Sequence, residues 1–352
     1  MLKLELRRLE LETPGARDAR RSWPVRRSLL VRLDSGRGQV GLGEASPLPG
    51  YSPDALDDVE QALHGVDLAA LARALAEPTA RAALRATAAL LPASLPSARM
   101  ALETAALDLL GKLAATPAPL LLGAEPGAER PLSFLLGPAS APDLEQRAHA
   151  ALGAGFRQLK LKLGSEGALA RELAGVVGLR ERFGTDIRLR VDANRALGAG
   201  DVAQAWETLE RVGIELFEEP GELPEALLGQ LPLALDESLQ GLSETQVDAR
   251  LRRLRAHCLV LKPMALGGLD HCWRLAARAR HYGANVVVSH CFEGPLGYRA
   301  AAAFALALPP GPAHGLGAHD ALTGWGVSLG PAAASLSVWR EPGLGALESL
   351  WP

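Results

Sequence analysis

Six residues in the middle of the chain have the types and spacing for removing a proton next to a carboxylate: Lys160, Lys162, Asp192, Glu218, Asp236 and Lys262. In an extended strand, Lys160 and Lys162 face the same side, being two apart. If that side is enclosed, crowding and desolvation lower a lysine pKa toward the range of a general base. Asp192, Glu218 and Asp236 each end a short apolar run. Brought together, three carboxylates repel and raise one another's pKa, a cost that a hard divalent cation removes. All-oxygen ligation selects Mg2+ over Zn2+, with Mn2+ as a possible substitute. Such a cation would hold a substrate carboxylate and stabilise the enediolate left when a lysine takes the α-proton. Lys262 would supply a second cationic group from the opposite side, as a general acid or as electrostatic support.

The scarcity of lysine sharpens this reading. Of 37 basic residues, only Lys3, Lys112, Lys160, Lys162 and Lys262 are lysine. Arginine does not release its proton in a protein, whereas lysine can be tuned to do so. A lysine kept in an arginine-rich chain, at a strand end, is therefore a marked candidate for chemistry.

These residues must be positioned by the elements that carry them. From about residue 131, β-rich runs alternate with helical stretches. The strand candidates are Leu132–Leu136, Gln158–Leu163, Ile187–Val191, Ile214–Phe217, Leu233–Leu235, Cys258–Leu261, Asn285–Val288 and a weaker Ala313–Leu316. The helical ones include Pro142–Leu152, Leu169–Phe183, Ala199–Arg211, Glu244–Arg255 and Gly268–Tyr282. Alternating β and α elements imply a parallel sheet, and eight such units imply an α/β, TIM-type (β/α) barrel, whose strand C-termini carry the active site. No glycine-rich nucleotide-binding motif supports an open doubly wound sheet.

The first third differs in texture. Strands are expected over Leu2–Leu11, Ser28–Leu33 and Gln39–Gly43, then Ala/Leu-rich helices over 53–115, with Ser94 or Ser97 capping the last. This is an α+β unit. Pro117 to Pro131 reads as a linker, and Ser335–Trp351 as a strand and turn returning to the first unit. The expected division is a capping domain over 1–127, a barrel over 128–318 and a returning C-terminal segment over 319–352.

Composition narrows the partners. With 48% hydrophobic and 22% charged residues, a large core is available. A formal net charge of -3 gives no reason to expect nucleic acid or an anionic membrane. The N-terminus alternates like a strand and not like a secretory signal, and no run is long enough to span a bilayer. Cys258, Cys272 and Cys291 match no metal-finger spacing and read as free core thiols in a reducing cytoplasm. A small-molecule carboxylate is the expected partner, with oligomeric state open.

Lys160-Leu-Lys162, Asp192-Ala-Asn194, Glu218-Glu219-Pro220, Asp236-Glu237-Ser238 and Lys262-Pro263 together resemble, in order and spacing, the enolase superfamily in its muconate-lactonizing branch. The family's α+β capping domain, built from the N-terminal region and C-terminal tail, agrees with the textures above. Within the branch the resemblance is greatest to the o-succinylbenzoate synthase family of menaquinone biosynthesis. It is carried by Gly43-Glu44-Ala-Ser46-Pro47-Leu48-Pro49-Gly50-Tyr51-Ser52, similar to the mobile capping loop, and by the ends Asp192-Ala-Asn194-Arg195 and Lys262-Pro263-Met264. The resemblance implies that Asp192, Glu218 and Asp236 bind Mg2+. It implies that Lys162 abstracts the α-proton and then protonates the departing hydroxyl, while Lys160 lowers the pKa of Lys162. Lys262 would stabilise the enediolate as a cation over the ring. Asn194, Ser289, Glu293, Ser46 and Tyr51 become expected substrate contacts, and His290 a pocket hydrogen-bonding group. The nearest rival is an N-acylamino acid racemase or dipeptide epimerase using Lys162 and Lys262 as opposed bases. A metal-free Schiff-base aldolase and a silent binding barrel are further rivals.

Overall fold

The computed structural model describes residues 1–13, 16, 21–317 and 334–351. Strands β1 (Lys3–Glu12), β2 (Val25–Asp34) and β3 (Val40–Ala45) form an antiparallel sheet in the order β1-β2-β3. Helices α1 (Leu56–His64), α2 (Leu68–Leu75), α3 (Ala80–Ala88) and α4 (Pro96–Leu113) follow. Leu29, Val31 and Leu33 of β2 bury themselves against Ala98, Leu102 and Ala105 of α4. α4 lies unusually close to β3, because a Cβ on Gly43 would stand 2.1 Å from the Ala101 carbonyl. The expected serine cap of α4 is corrected: the helix starts at Pro96 without a side-chain cap. Ser97 instead donates from its amide (2.8 Å) and hydroxyl (2.6 Å) to Asp54.

The segment expected as a linker also contains structure. It forms α5 (Ala118–Leu121) and β4 (Glu129–Pro131), the latter pairing antiparallel with β12 (Ser335–Ser337). Gly343 approaches α4 closely, and the Leu344 amide donates to Asp108 at 2.8 Å. The described C-terminal residues thus return to the first unit. The boundary expected at 318/319 lies outside the described residues.

The second sheet is wholly parallel, in the order β11-β10-β9-β8-β7-β6-β5. Its strands are β5 (Ser133–Pro138), β6 (Gln158–Lys162), β7 (Arg188–Asp192), β8 (Leu216–Glu218), β9 (Leu233–Leu235), β10 (Cys258–Leu261) and β11 (Asn285–Val288). Helices α6 (Leu144–Gly153), α7 (Leu169–Phe183), α8 (Ala199–Val212), α9 (Glu244–Leu254), α10 (Pro263–Leu266), α11 (Gly268–His281) and α12 (Pro295–Ala307) connect or follow them. The eighth strand expected over Ala313–Leu316 is reduced to two single parallel bridges, Leu132 with His314 and Ser289 with Gly315. A Cβ on Gly315 would lie 2.8 Å from the Ser289 hydroxyl, so a side chain there would make the seam shift. It joins β5 to β11 and closes a TIM-type barrel beside the antiparallel N-terminal domain.

Parallel register decides what meets at the strand ends. Lys162 is level with Asp192, and Asp192 with Glu218. Glu218 is level with Ala234, and Ala234 with Cys258, so Asp236 and Lys262 follow two and four residues beyond that level. Leu159 and Leu161 pack outward into the main core, leaving Lys160 and Lys162 to the interior.

Candidate active site

Lys160, Lys162, Glu218 and Lys262 line one cavity at the C-terminal mouth of the barrel, and Asp192 and Asp236 are bonded to its amines. The Lys162 amine donates to Asp192 Oδ2 (2.6 Å) and Asn194 Oδ1 (2.8 Å). Lys160 lies between Glu218 Oε2 (2.6 Å) and Asp192 Oδ2 (2.8 Å). Lys262 donates to Asp236 Oδ2 (2.5 Å) and to the Tyr51 hydroxyl (2.9 Å). Tyr51 in turn donates to Asp236 Oδ1 at 3.2 Å, and its ring centroid stands 4.9 Å from the Lys262 amine.

The turns that follow the strands are conformationally costly. Among the described residues, Asn194, Arg195, Glu219 and Phe292 have positive φ although none is glycine. Such strain persists where the surroundings over-determine it, commonly at functional sites. Part of that determination is visible. Asn194 N–H donates to Asp192 Oδ1 at 2.9 Å, and Glu219 accepts from the amides of Asp236 (2.7 Å) and Ser238 (3.0 Å).

Electrostatics sets burial against the neighbouring carboxylates at the amines. Burial acts to lower Lys160, but Asp192 and Glu218 outweigh it, and its amine is held above the ordinary lysine value. Lys262 is raised likewise, burial being overcome chiefly by Asp236. Burial pushes Glu218 up to about 7, with the charge of Asp192 adding to the effect. Burial also acts to raise Asp192, but Lys160 and Lys162 hold it well below the usual carboxylate range.

The donor set suits a hard cation in chemistry and in charge. Asp192 and Glu218 already share one cation, the Lys160 ammonium, while Glu218 Oε1 is buried without a partner. Among the described residues, no three Asp, Glu, His or Cys side chains form a ready-made cage, because ammonium groups cap the carboxylates. If a metal took over that charge, burial and mutual repulsion would remain, and both lower a lysine pKa.

The expected substrate contacts divide into two groups. Asn194, Ser289 and Tyr51 line the cavity, as does His290. Ser46 and Glu293 do not, which corrects their placement as substrate contacts: both are fully buried behind the wall. Ser46 Oγ donates to Glu44, and Glu293 accepts from the Cys291 amide. Sequence reasoning missed Trp23, Leu48 and Phe292, which also line the cavity, and Arg26 behind it. Arg26 is 1% exposed and binds four carbonyls: Ser46 (2.7 Å), Pro47 (3.1 Å), Phe292 (3.1 Å) and Cys291 (3.4 Å). It ties the capping loop to the seventh strand's loop. Its alternation with Ser28 and Leu30 on the buried face of β2 was the available signal. The three cysteines are free and buried. Among the described residues, no helix is long and apolar enough to cross a membrane.

A parallel barrel, a separate antiparallel cap and amines facing acids at the strand ends define a capped barrel enzyme. A model of the Enolase C-terminal domain-like family matches residues 143–346, more than half of the chain. The o-succinylbenzoate synthase of Desulfotalea psychrophila is 30% identical over 328 residues, covering 84% of this chain and 87% of that one. The L-Ala-D/L-Glu epimerase of Bacillus subtilis is 29% identical over 319 residues, with 87% and 84% covered. Its substrate-liganded structure superposes with a TM-score of 0.80 at 26% identity, covering 98% of both chains. A dipeptide epimerase from Methylococcus capsulatus, complexed with Mg and L-Arg-D-Lys, gives 0.77 at 28% identity, covering 97% of this chain and 98% of that one. The chain belongs to the enolase superfamily, in its muconate-lactonizing branch.

Proposed function

We propose that this enzyme is a magnesium-dependent o-succinylbenzoate synthase of menaquinone biosynthesis, acting in the cytoplasm. Its reaction would be the dehydration of 2-succinyl-6-hydroxy-2,4-cyclohexadiene-1-carboxylate to 2-succinylbenzoate. The observation that carries this reading is the character of the cavity wall. Among the described lining residues Glu218 is the only acid, while Trp23, Leu48, Tyr51, Leu135, Val260 and Phe292 supply apolar and aromatic surface. Such a wall suits a ring bearing carboxylates. Among the described lining residues the one acid, Glu218, is already paired with Lys160, which leaves little to hold a dipeptide's α-ammonium.

Asp192, Glu218 and Asp236 would hold Mg2+, with Mn2+ as a substitute. When bound, the ion stabilises negative charge on the substrate carboxylate as the α-proton leaves. Lys162, fixed by Asp192 and Asn194, takes that proton and returns it to the departing hydroxyl. The C–H and C–O bonds break, water leaves, and the ring becomes aromatic. Lys160 lies beside Lys162 and shares its partner oxygen, Asp192 Oδ2. Lys262, already over the Tyr51 ring, offers its cation to the charge developing on the substrate's ring.

Incubation with the cyclohexadiene carboxylate and Mg2+, followed by ultraviolet loss, tests the reading. No turnover above the uncatalysed rate would refute it. The second reading, an N-acylamino acid racemase or dipeptide epimerase, is favoured by amines on the well-separated strand ends of β6 and β10. It predicts exchange of the α-hydrogen for deuterium in both stereoisomers of an N-succinyl amino acid or a dipeptide.

A further inference from the structure

We infer that Glu103, a buried carboxylate of the cap, is a positioning residue that fixes Lys262 from behind. This rests on the proposed reading only in taking Lys262 as an active-site amine. Glu103 lies on α4, is fully buried, and accepts from the amides of Leu269 and, at 3.1 Å, Asp270. Those amides open α11, where the helix dipole favours a negative group.

The path from this clamp to Lys262 is short and jointed. The Lys262 carbonyl accepts from the amides of Ala265 and Leu266, both at 3.0 Å, so the turn α10 hangs directly on it. α10 packs on α4 and is followed by Gly267 and Gly268, at φ of 108° and 92°. Two successive glycines in the left-handed region form a swivel with no side chain to restrain it. Glu103 supplies the restraint. Its approach depends on the second glycine, since a Cβ on Gly268 would meet Glu103 Oε2 at 2.0 Å. The cap therefore grips the segment that follows the β10 lysine, while among the described residues the side-chain bonds of Lys160 and Lys162 on β6 go to Asp192, Asn194 and Glu218 of the barrel.

The scarcity of lysine makes the test direct. Labelling with 13C-lysine gives five ε-methylene signals, and Lys262→Arg assigns the relevant one. Glu103→Ala and Gly268→Ala should each shift the Lys262 signal and leave those of Lys160 and Lys162 in place. Both should lower kcat about ten-fold or more, because small misplacements of a catalytic group are costly, with KM within about two-fold. Glu103→Gln keeps one acceptor oxygen and should give a smaller shift and partial activity. It carries the test if Glu103→Ala does not fold. A lower melting temperature with the Lys262 signal unmoved overturns the inference, as does an equal shift of all three lysines. The signals report geometry without substrate, so a wrong substrate assignment would leave this test standing.

Discussion

On the β6 side of the cavity, Lys160 and Lys162 find their hydrogen-bonding and ionic partners within the barrel: Asp192, Asn194 and Glu218, carried by adjacent strand ends. On the β10 side, Lys262 meets Asp236 and also Tyr51, which the cap supplies. One amine wall draws its partners from the barrel alone; the other adds a hydroxyl from the cap. In such an arrangement chemistry common to the family can reside in the barrel, while the cap adjusts how the opposite amine faces the substrate.

The comparison can be broken most severely at the amines. Lys162→Ala should lower kcat for the proposed dehydration by about 10³-fold or more, the scale of a lost general acid–base group, with the fold intact. Lys262→Ala should also be nearly inactive. Full turnover by either variant would remove the assigned roles. Chelation should abolish turnover, and added Mg2+ should restore it.

The link between the walls comes next. Arg26→Ala leaves four buried carbonyls without their shared donor, which should cost on the order of 3 kcal/mol in urea unfolding. It should also raise KM as the capping loop loosens. An unchanged KM would mean that the loop is held by other contacts. Tyr51→Phe removes only a hydroxyl that bonds Lys262 and Asp236, and should lower kcat/KM about ten-fold. An equal loss in the isolated α-proton exchange step would show that the cap residue acts on the chemistry itself.

The seam that closes the barrel is tested by pH. Burial, reinforced by the charges of Arg190 and Arg130, pushes His314 down to about 3, and its Nδ1 accepts from the Val288 amide at 3.1 Å. A histidine depressed in the folded state contributes stability that is present above about pH 6.5 and lost as pH falls toward 3. Stability should therefore fall by up to about 1.4 kcal/mol per pH unit in that window. His314→Asn keeps an acceptor but cannot titrate, so its stability curve should be flatter there. Parallel curves for the two proteins would show that His314 is not strained by acid.

What the sequence revealed follows the same division. Leu233–Leu235, Cys258–Leu261 and Asn285–Val288 are strands with the expected limits, and α7 spans the expected residues. Each is a local apolar pattern bounded by turn residues or charge, and the acids at strand ends were visible for that reason. The cap–barrel joint was not legible. Arg26, Glu44 and Glu103 find their partners far along the chain, and their burial depends on contacts that no local pattern encodes. Ser46 and Glu293 were misjudged on the same ground: a polar residue near a site looks alike from sequence whether it faces substrate or the back of the wall.

The distribution of lysine has a practical consequence. Three of the five are largely enclosed in the cavity, and Lys112 is held by Asp108 and Glu348 with its side chain 10% exposed. Lys3, exposed on the edge strand β1, is the lysine left open to an acylating reagent. An amine-reactive support should therefore tether the enzyme in one orientation, by its cap sheet, leaving the amines of the cavity unmodified.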